Sequence, residues 1–287
     1  MRRLSQLLIL TLVVTFFSSC IKNDDADYIS SYTVLTKIET HDYEADEDIE
    51  YLLGFATYDE KEGMQPIEGG KCSSAPLLWK MKITGGDIKE VEYSYEGKKE
   101  YLIIDVTLSD DSERIEKYKL NEQGMATHTL VGEEYVELEN IAYDEAGYRT
   151  MYEGHTITSE SSEYDKVEMS DGSVVMYSYT PYLNAMAFQQ NNIVGAPFYL
   201  NVTDHFGKQS RHFLSGVIVS EDGNKDEYKY SYAFDTLGML REELTEKNGD
   251  KQIYSKYSYS SIYYVEGDTD TDTDTDGDTD SEGESQE

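Results

Sequence analysis

Aromatic residues alternate with polar residues along several stretches of the chain. In EYKYSYAF (227–234), the residues between the aromatic positions are Glu227, Lys229, Ser231 and Ala233, so one face of an extended chain carries only aromatic side chains. A period of two is that of a β-strand with one buried and one solvent-exposed face. Most of these aromatic residues are tyrosines, whose rings can be buried while their hydroxyls reach water or a partner. The pattern predicts half-buried strands with a tyrosine-rich inner face.

A turn motif recurs three times between the predicted strands. It reads apolar, Asp or Asn, two variable residues, glycine, apolar, and it occurs as LNEQGM (120–125), YDEAGY (143–148) and FDTLGM (234–239). The Asp or Asn side chain caps a type I turn, and a glycine with positive φ returns the chain to the next strand. We therefore predict positive φ at Gly124, Gly147 and Gly238. Together with other hairpin signals, these turns predict an all-β fold in which a long antiparallel meander of Tyr-rich hairpins forms a curled sheet or an incomplete barrel.

One stretch of the predicted sheet, residues 181–197, does not alternate. Leu183 and Met186 have helical rather than strand spacing. We expect one short helix or an irregular plug here, packed against the sheet. With this interruption included, residues 31–265 are predicted to form a single antiparallel β domain.

The first 30 residues have the organisation of a lipoprotein leader. Residues 1–19 join two arginines, an apolar run and two serines, as a signal peptide does, and the apolar run is too short for a comfortable membrane span. The sequence FSSC (17–20) resembles a bacterial lipobox, which implies lipidation of Cys20 and anchoring to a lipid bilayer. The alternative is an ordinary signal peptide followed by an incidental cysteine.

Residues 20–30 are predicted to form an acidic tether behind the lipidated cysteine. Lys22, Asp24 and Asp25 resemble the short signal that directs Bacteroidota lipoproteins to the cell surface. This resemblance implies an outer-membrane protein exposed at the surface. The alternatives are a plain solvated tether and attachment in the periplasmic leaflet.

The chain is strongly acidic, with 58 Asp and Glu against 24 Lys and Arg and a formal net charge of −34. Nucleic acid is therefore not an expected partner, because binding to phosphate needs a basic surface. Residues 266–287 repeat Asp and Thr without a basic residue, and we predict a disordered acidic tail with weak cation association. An EF-hand frame that begins at Asp272 has Gly283 where the bidentate glutamate belongs, so no specific metal site is predicted.

Residues 204–212, DHFGKQSRH, contain the residue types of a hydrolase but not a recognisable arrangement of them. His205 and His212 would point to opposite faces of a strand, and the G-x-S-x-G motif of a nucleophile elbow is absent. The five histidines show no metal-ligand spacing, and Cys72 lies in a loop-like stretch without a second cysteine nearby. We predict no catalytic residues, no cofactor and no enzymatic activity, with DHFGKQSRH as a connection between strands.

The Tyr-rich strands, the recurring turns and the stretch FGKQS (206–210) resemble a family of uncharacterised Bacteroidota lipoproteins, catalogued as domain of unknown function 4595 and described as having a porin-like fold. The resemblance covers residues 115–264. It implies a porin-like fold but no activity, so it carries over no functional residues. Polar residues on the outward positions argue against a lipid-facing band.

These observations lead to two hypotheses about function. The first is a binding module for a glycan or another ligand of the cell envelope, which uses exposed tyrosines on the open sheet. The second is a structural or adhesive surface protein without a small ligand. An enzyme is the least favoured hypothesis.

Overall fold

The computed structural model describes residues 31–67, 69–72, 74–160, 163–184, 198–208 and 210–264. Nineteen strands belong to one sheet. They are β1 (Ser31–Asp42), β2 (Glu47–Asp59), β3 (Gly63–Pro66), β4 (Lys71–Cys72), β5 (Leu77–Thr84), β6 (Ile88–Glu96), β7 (Tyr101–Leu108), β8 (Glu113–Leu120), β9 (Ala126–Val131), β10 (Glu134–Glu137), β11 (Ile141–Tyr143), β12 (Arg149–Tyr152), β13 (His155–Glu160), β14 (Glu163–Glu168), β15 (Val174–Leu183), β16 (His212–Glu221), β17 (Asn224–Phe234), β18 (Leu240–Lys247) and β19 (Asp250–Tyr264).

The sheet is an antiparallel meander in which the first and the last described strands in chain order, β1 and β19, pair with each other. β1 pairs with β19 from Ser31 opposite Tyr263 to Asp42 opposite Ile253, and β1 also pairs with β2. From this centre one arm runs through β5 to β10, and the other runs back from β18 to β11. Among the described residues, no backbone ladder joins β10 to β11, so the predicted all-β meander is confirmed as a curled, unclosed sheet.

The alternation of side chains produces the core on the inner face of this sheet. Along β7, Leu102, Ile104 and Val106 are fully buried, while the residues between them are only partly buried. Each such side chain contributes about 1.5–3 kcal/mol to folding. A smaller cluster of Val34, Cys72 and Ile262 lies where β4 covers the end of β19. Cys72 is therefore a buried strand residue, not the loop residue that its flanking sequence predicted.

The three recurring turns have the same hydrogen bonds. In each, the Asp or Asn carboxyl or amide oxygen accepts from two following backbone N–H groups, and the glycine N–H donates to the carbonyl of the same Asp or Asn. The φ angles are 81° at Gly124, 90° at Gly147 and 78° at Gly238. All three turns lie at the same end of the sheet as Ser31 and Tyr263.

The connection between β15 and β16 contains the helical part of the domain. β15 extends through Leu183, and residues 185–197, most of the predicted plug, lie outside the described residues. A one-turn helix, α1 (Phe198–Asn201), and a 3₁₀ turn (Asp204–Phe206) follow. Within the described residues, no helix is long and apolar enough to cross a membrane. We call residues 198–208 together with Ser210 the docked segment, since Tyr199, Leu200 and Phe206 are buried in the main core.

Hydrogen bonds hold the docked segment against both arms of the sheet. On the first arm, the Tyr93 hydroxyl donates to the Tyr199 carbonyl at 2.8 Å. On the second arm, the Tyr164 hydroxyl donates to the Lys208 carbonyl at 2.7 Å. The Lys208 N–H donates to the carbonyl of Gly147 at 3.0 Å. The segment therefore bridges the two arms on the inner side of the sheet.

We predict that Gly207→Ala weakens the domain more than Gly238→Ala. Both glycines have positive φ, but a Cβ at Gly207 would lie 2.7 Å from Cγ of the buried Arg149, whereas a Cβ at Gly238 would meet open space. Backbone strain costs roughly 1–2 kcal/mol at Gly238. At Gly207, where φ is 110° and ψ is 138°, the strain is at least as large, and the clash should raise the loss to about 3 kcal/mol. Urea unfolding of both variants measures the difference, and equal losses would contradict the described packing.

Candidate ligand site on the outer face of the sheet

A depression of ≈ 420 Å³ lies on the outer face of the sheet, across β5, β2, β1 and β19. Ile38 and Thr40 of β1 are buried on the inner face. Alternation therefore turns Lys37, Glu39 and His41 outward. The depression is lined by Glu39, His41, Asp48, Glu50, Tyr254 and Lys256, together with Thr40, Ile49 and Thr84.

Strand register brings these side chains together from distant parts of the sequence. His41 lies opposite Tyr254 on one side and Asp48 on the other. One step along β1, Glu39 lies opposite Lys256 and Glu50 in the same way. Side chains directly opposite on one face have Cβ atoms roughly 4.5–5.5 Å apart. Two adjacent rows of polar and aromatic side chains thus form the floor of the depression.

Ion pairs and hydrogen bonds orient the polar groups of the site. The His41 Nδ1 and the Asp48 Oδ1 are 2.8 Å apart, so the imidazole N–H can donate to the carboxylate. The Lys37 Nζ lies 2.6 Å from Glu50 and 3.1 Å from Glu39. These hydrogen bonds, to Glu50 first, raise the pKa of Lys37. Each carboxylate keeps acceptor capacity for a ligand, because a single partner does not use all of its lone pairs.

Tyr254 supplies an aromatic surface beside these carboxylates. Its side chain is half-buried, and burial, with the nearby Glu242 carboxylate, raises the pKa of its hydroxyl. The hydroxyl therefore stays protonated near neutral pH and can donate as well as accept. The site combines hydrogen-bond acceptors, donors and a ring, in a volume within the 300–1,000 Å³ typical of small-ligand sites.

The predicted lipidation and export residues, Cys20, Lys22, Asp24 and Asp25, lie outside the described residues, as does the acidic tail at 266–287. Two of the three turn glycines, Gly124 and Gly147, contact the docked segment through their carbonyl oxygens. Neither they nor Gly238 lines the depression. Among the described residues, no group of three or more His, Cys, Asp or Glu side chains is placed to hold a metal ion.

Apart from Gln209, which lies outside the described residues, the stretch DHFGKQSRH lies in the connection between β15 and β16 and at the start of β16. His205 has a carbonyl and a tyrosine as partners, and the Ser210 Oγ lies 2.9 Å from the Tyr179 hydroxyl. His212 pairs with Glu163, with 2.6 Å between Nδ1 and Oε1. The structure thus gives each of these residues a separate contact with the sheet.

Two solved porin-like proteins are similar to the chain. One, from Bacteroides uniformis, has a TM-score of 0.39 and 15% identity, with 79% of this chain and 96% of that chain covered. The other, from Bacteroides vulgatus, has a TM-score of 0.32 and 11% identity, with 80% and 99% covered. No family model and no curated protein matches the chain, so the family suggested by its turns stays a prediction.

The contacts of His205 generate a prediction about pH. The Gly124 carbonyl can only accept, so His205 Nδ1 carries the proton (2.6 Å) and Nε2 accepts from the Tyr95 hydroxyl (2.8 Å). Burial lowers the pKa of His205. The hydrogen bond to the Gly124 carbonyl and the Asp204 carboxylate oppose this shift, and Lys99 adds to it. The unfolded chain therefore takes up this proton first as the pH falls, and the contribution of His205 to stability, present above about pH 6.5, is lost below it.

We expect His205→Asn, which keeps a donor near the Nδ1 position, to flatten the fall in unfolding free energy between pH 7 and pH 5. The change in slope is at most about 1.4 kcal/mol per pH unit, the value for one proton. His128→Asn, a substitution on β9 away from the docked segment, serves as the control. Denaturant unfolding at a series of pH values measures this, and identical slopes in the wild type and His205→Asn would contradict a buried neutral imidazole.

Proposed function

We propose that this protein is a lipid-anchored protein of the bacterial outer membrane that binds a neutral glycan of its surroundings in the outer-face depression. The depression is the observation that carries the proposal, since it combines oriented carboxylates with an aromatic ring. Cys20 provides the anchor, and Lys22, Asp24 and Asp25 direct the protein to the cell surface. The acidic tail contributes at most weak cation association and no binding specificity.

The depression lies far along β1 from the point where the chain enters the sheet. The chain enters the sheet from its N-terminal tether at Ser31, whereas the depression surrounds Glu39 and His41 near the far end of the same strand. Eight to ten residues of strand at about 3.3 Å each give a separation of about 26–33 Å. The depression therefore lies at the opposite end of β1 from Ser31.

The lining of the depression suits sugar hydroxyls. Carboxylates accept hydrogen bonds from neighbouring hydroxyls, Lys256 can donate one, and the ring of Tyr254 can pack against the apolar face of a sugar. Three carboxylates against one lysine in the lining disfavour an anionic glycan. The acidity of the whole chain acts in the same direction.

We predict that Tyr254→Ala and Glu50→Gln each weaken binding to glycans on an array by about tenfold, the usual effect of losing one central contact. Tyr182→Ala is the matched control for Tyr254, because Tyr182 is exposed at the opposite end of the sheet. Unchanged unfolding curves would exclude a folding defect. If the array shows no glycan whose binding these substitutions weaken, the result would argue for the structural or adhesive alternative.

For the anchor, we expect Cys20→Ala to release the protein from membranes, because the acyl chains are its strongest hydrophobic attachment. Replacing Lys22, Asp24 and Asp25 together by alanine should leave it membrane-bound but shield it from protease added outside the cell. Cell fractionation and surface proteolysis measure the two effects. Membrane association that survives Cys20→Ala would show that another part of the chain is the anchor.

A further inference from the structure

The aromatic surface of the depression continues beyond His41 onto Tyr43. The two rings are in edge contact, with centroids 4.5 Å apart and an interplanar angle of 86°. Tyr43 directly follows β1 and remains 42% exposed. Its ring therefore offers accessible aromatic area next to the depression, although Tyr43 does not line the depression itself.

The backbone holds Tyr43 in a defined position. Its N–H donates to the carbonyl of Gln252 in β19 at 2.7 Å, which extends the pairing of β1 and β19 by one residue. Glu44 and Ala45 donate to the Asp42 carboxylate at 2.8 and 3.0 Å and fix the turn that follows. An exposed aromatic residue on an ordered backbone loses little conformational entropy when a ligand packs against it.

Tyr43 also has a cationic neighbour. The Lys251 Nζ lies 5.8 Å from the centre of its ring. A lysine beside an exposed ring can donate to hydroxyl groups of a ligand that packs on that ring. Tyr254 has the same kind of neighbour, because the Lys256 Nζ is 5.6 Å from its ring.

We propose that Tyr43 and Lys251 form a second subsite, and that the ligand of the depression is a neutral oligosaccharide of at least two rings rather than a single sugar. This inference rests on the proposed glycan-binding function. The rings of His41, which lines the depression, and Tyr43 are in contact, with centroids 4.5 Å apart. A second sugar ring of a chain bound in the depression can therefore reach Tyr43.

The test compares sugars of increasing length by calorimetry on the full-length mature protein. The probes are glucose, maltose and maltotetraose, cellobiose and cellotetraose, and N-acetylglucosamine, chitobiose and chitotetraose. In at least one series, the four-ring sugar should bind the wild type about tenfold more tightly than the single ring. Tyr43→Ala should remove this gain and leave single-ring binding unchanged, Tyr43→Phe should retain it, and Tyr182→Ala should have no effect.

Each other outcome overturns a defined part of the inference. If affinity does not rise with length, or if Tyr43→Ala weakens single-ring and four-ring binding equally, the second subsite is wrong while the depression remains a glycan site. If no probe binds in a way that Tyr254→Ala weakens, the proposed function fails and the second subsite with it.

Discussion

The pairing of β1 with β19 is the constraint on which the rest of the structure depends. It joins the first strand of the domain to the last, over a ladder from Ser31 opposite Tyr263 to Asp42 opposite Ile253. Without it, the arm of β5 to β10 and the arm of β11 to β18 would belong to two separate sheets. The same ladder creates an inner cluster around Ile38 and Tyr257 and, on the opposite face, the depression between Glu39 and Lys256. The core and the candidate site therefore depend on the same strand register. A slip of one residue would move the core side chains of β1 to the outer face and those of the depression to the inner face.

The tyrosines of the inner face connect the docked segment to both arms of the unclosed sheet. A phenylalanine could supply the same buried area but could not hold the backbone of the docked segment. Tyr93 and Tyr164 donate to carbonyls of that segment from opposite arms, and each such bond contributes about 1 kcal/mol. Glu116 adds a charged contact, since it accepts from the hydroxyls of both Tyr118 and Tyr199. Hydrogen bonds through the docked segment thus connect the two arms, which do not pair with each other among the described strands.

The strands and turns could be predicted from the sequence because their causes are local. The alternation around Tyr230 and the turns at Gly124, Gly147 and Gly238 depend on residues within a few positions of one another. The depression could not be predicted in this way, because His41 meets Tyr254 only through a pairing of strands more than 200 residues apart. No spacing rule applies to such a set, and His41 alone looks like an ordinary surface histidine. Likewise, the role of His205 depends on Gly124 and Tyr95, which lie far from it in sequence.

The separation of the two faces has a consequence for how this protein can change. Along β1, Ile38 and Thr40 serve the core, while Glu39 and His41 alternate with them and serve the depression. Substitutions of exposed outer-face residues usually alter stability by less than about 0.5 kcal/mol, whereas truncation of a core side chain costs about 2–5 kcal/mol. The depression can therefore acquire a new set of side chains while the core that fixes its backbone stays intact. Within single strands, the inner face thus fixes the backbone, while the side chains of the outer face can vary with little effect on stability.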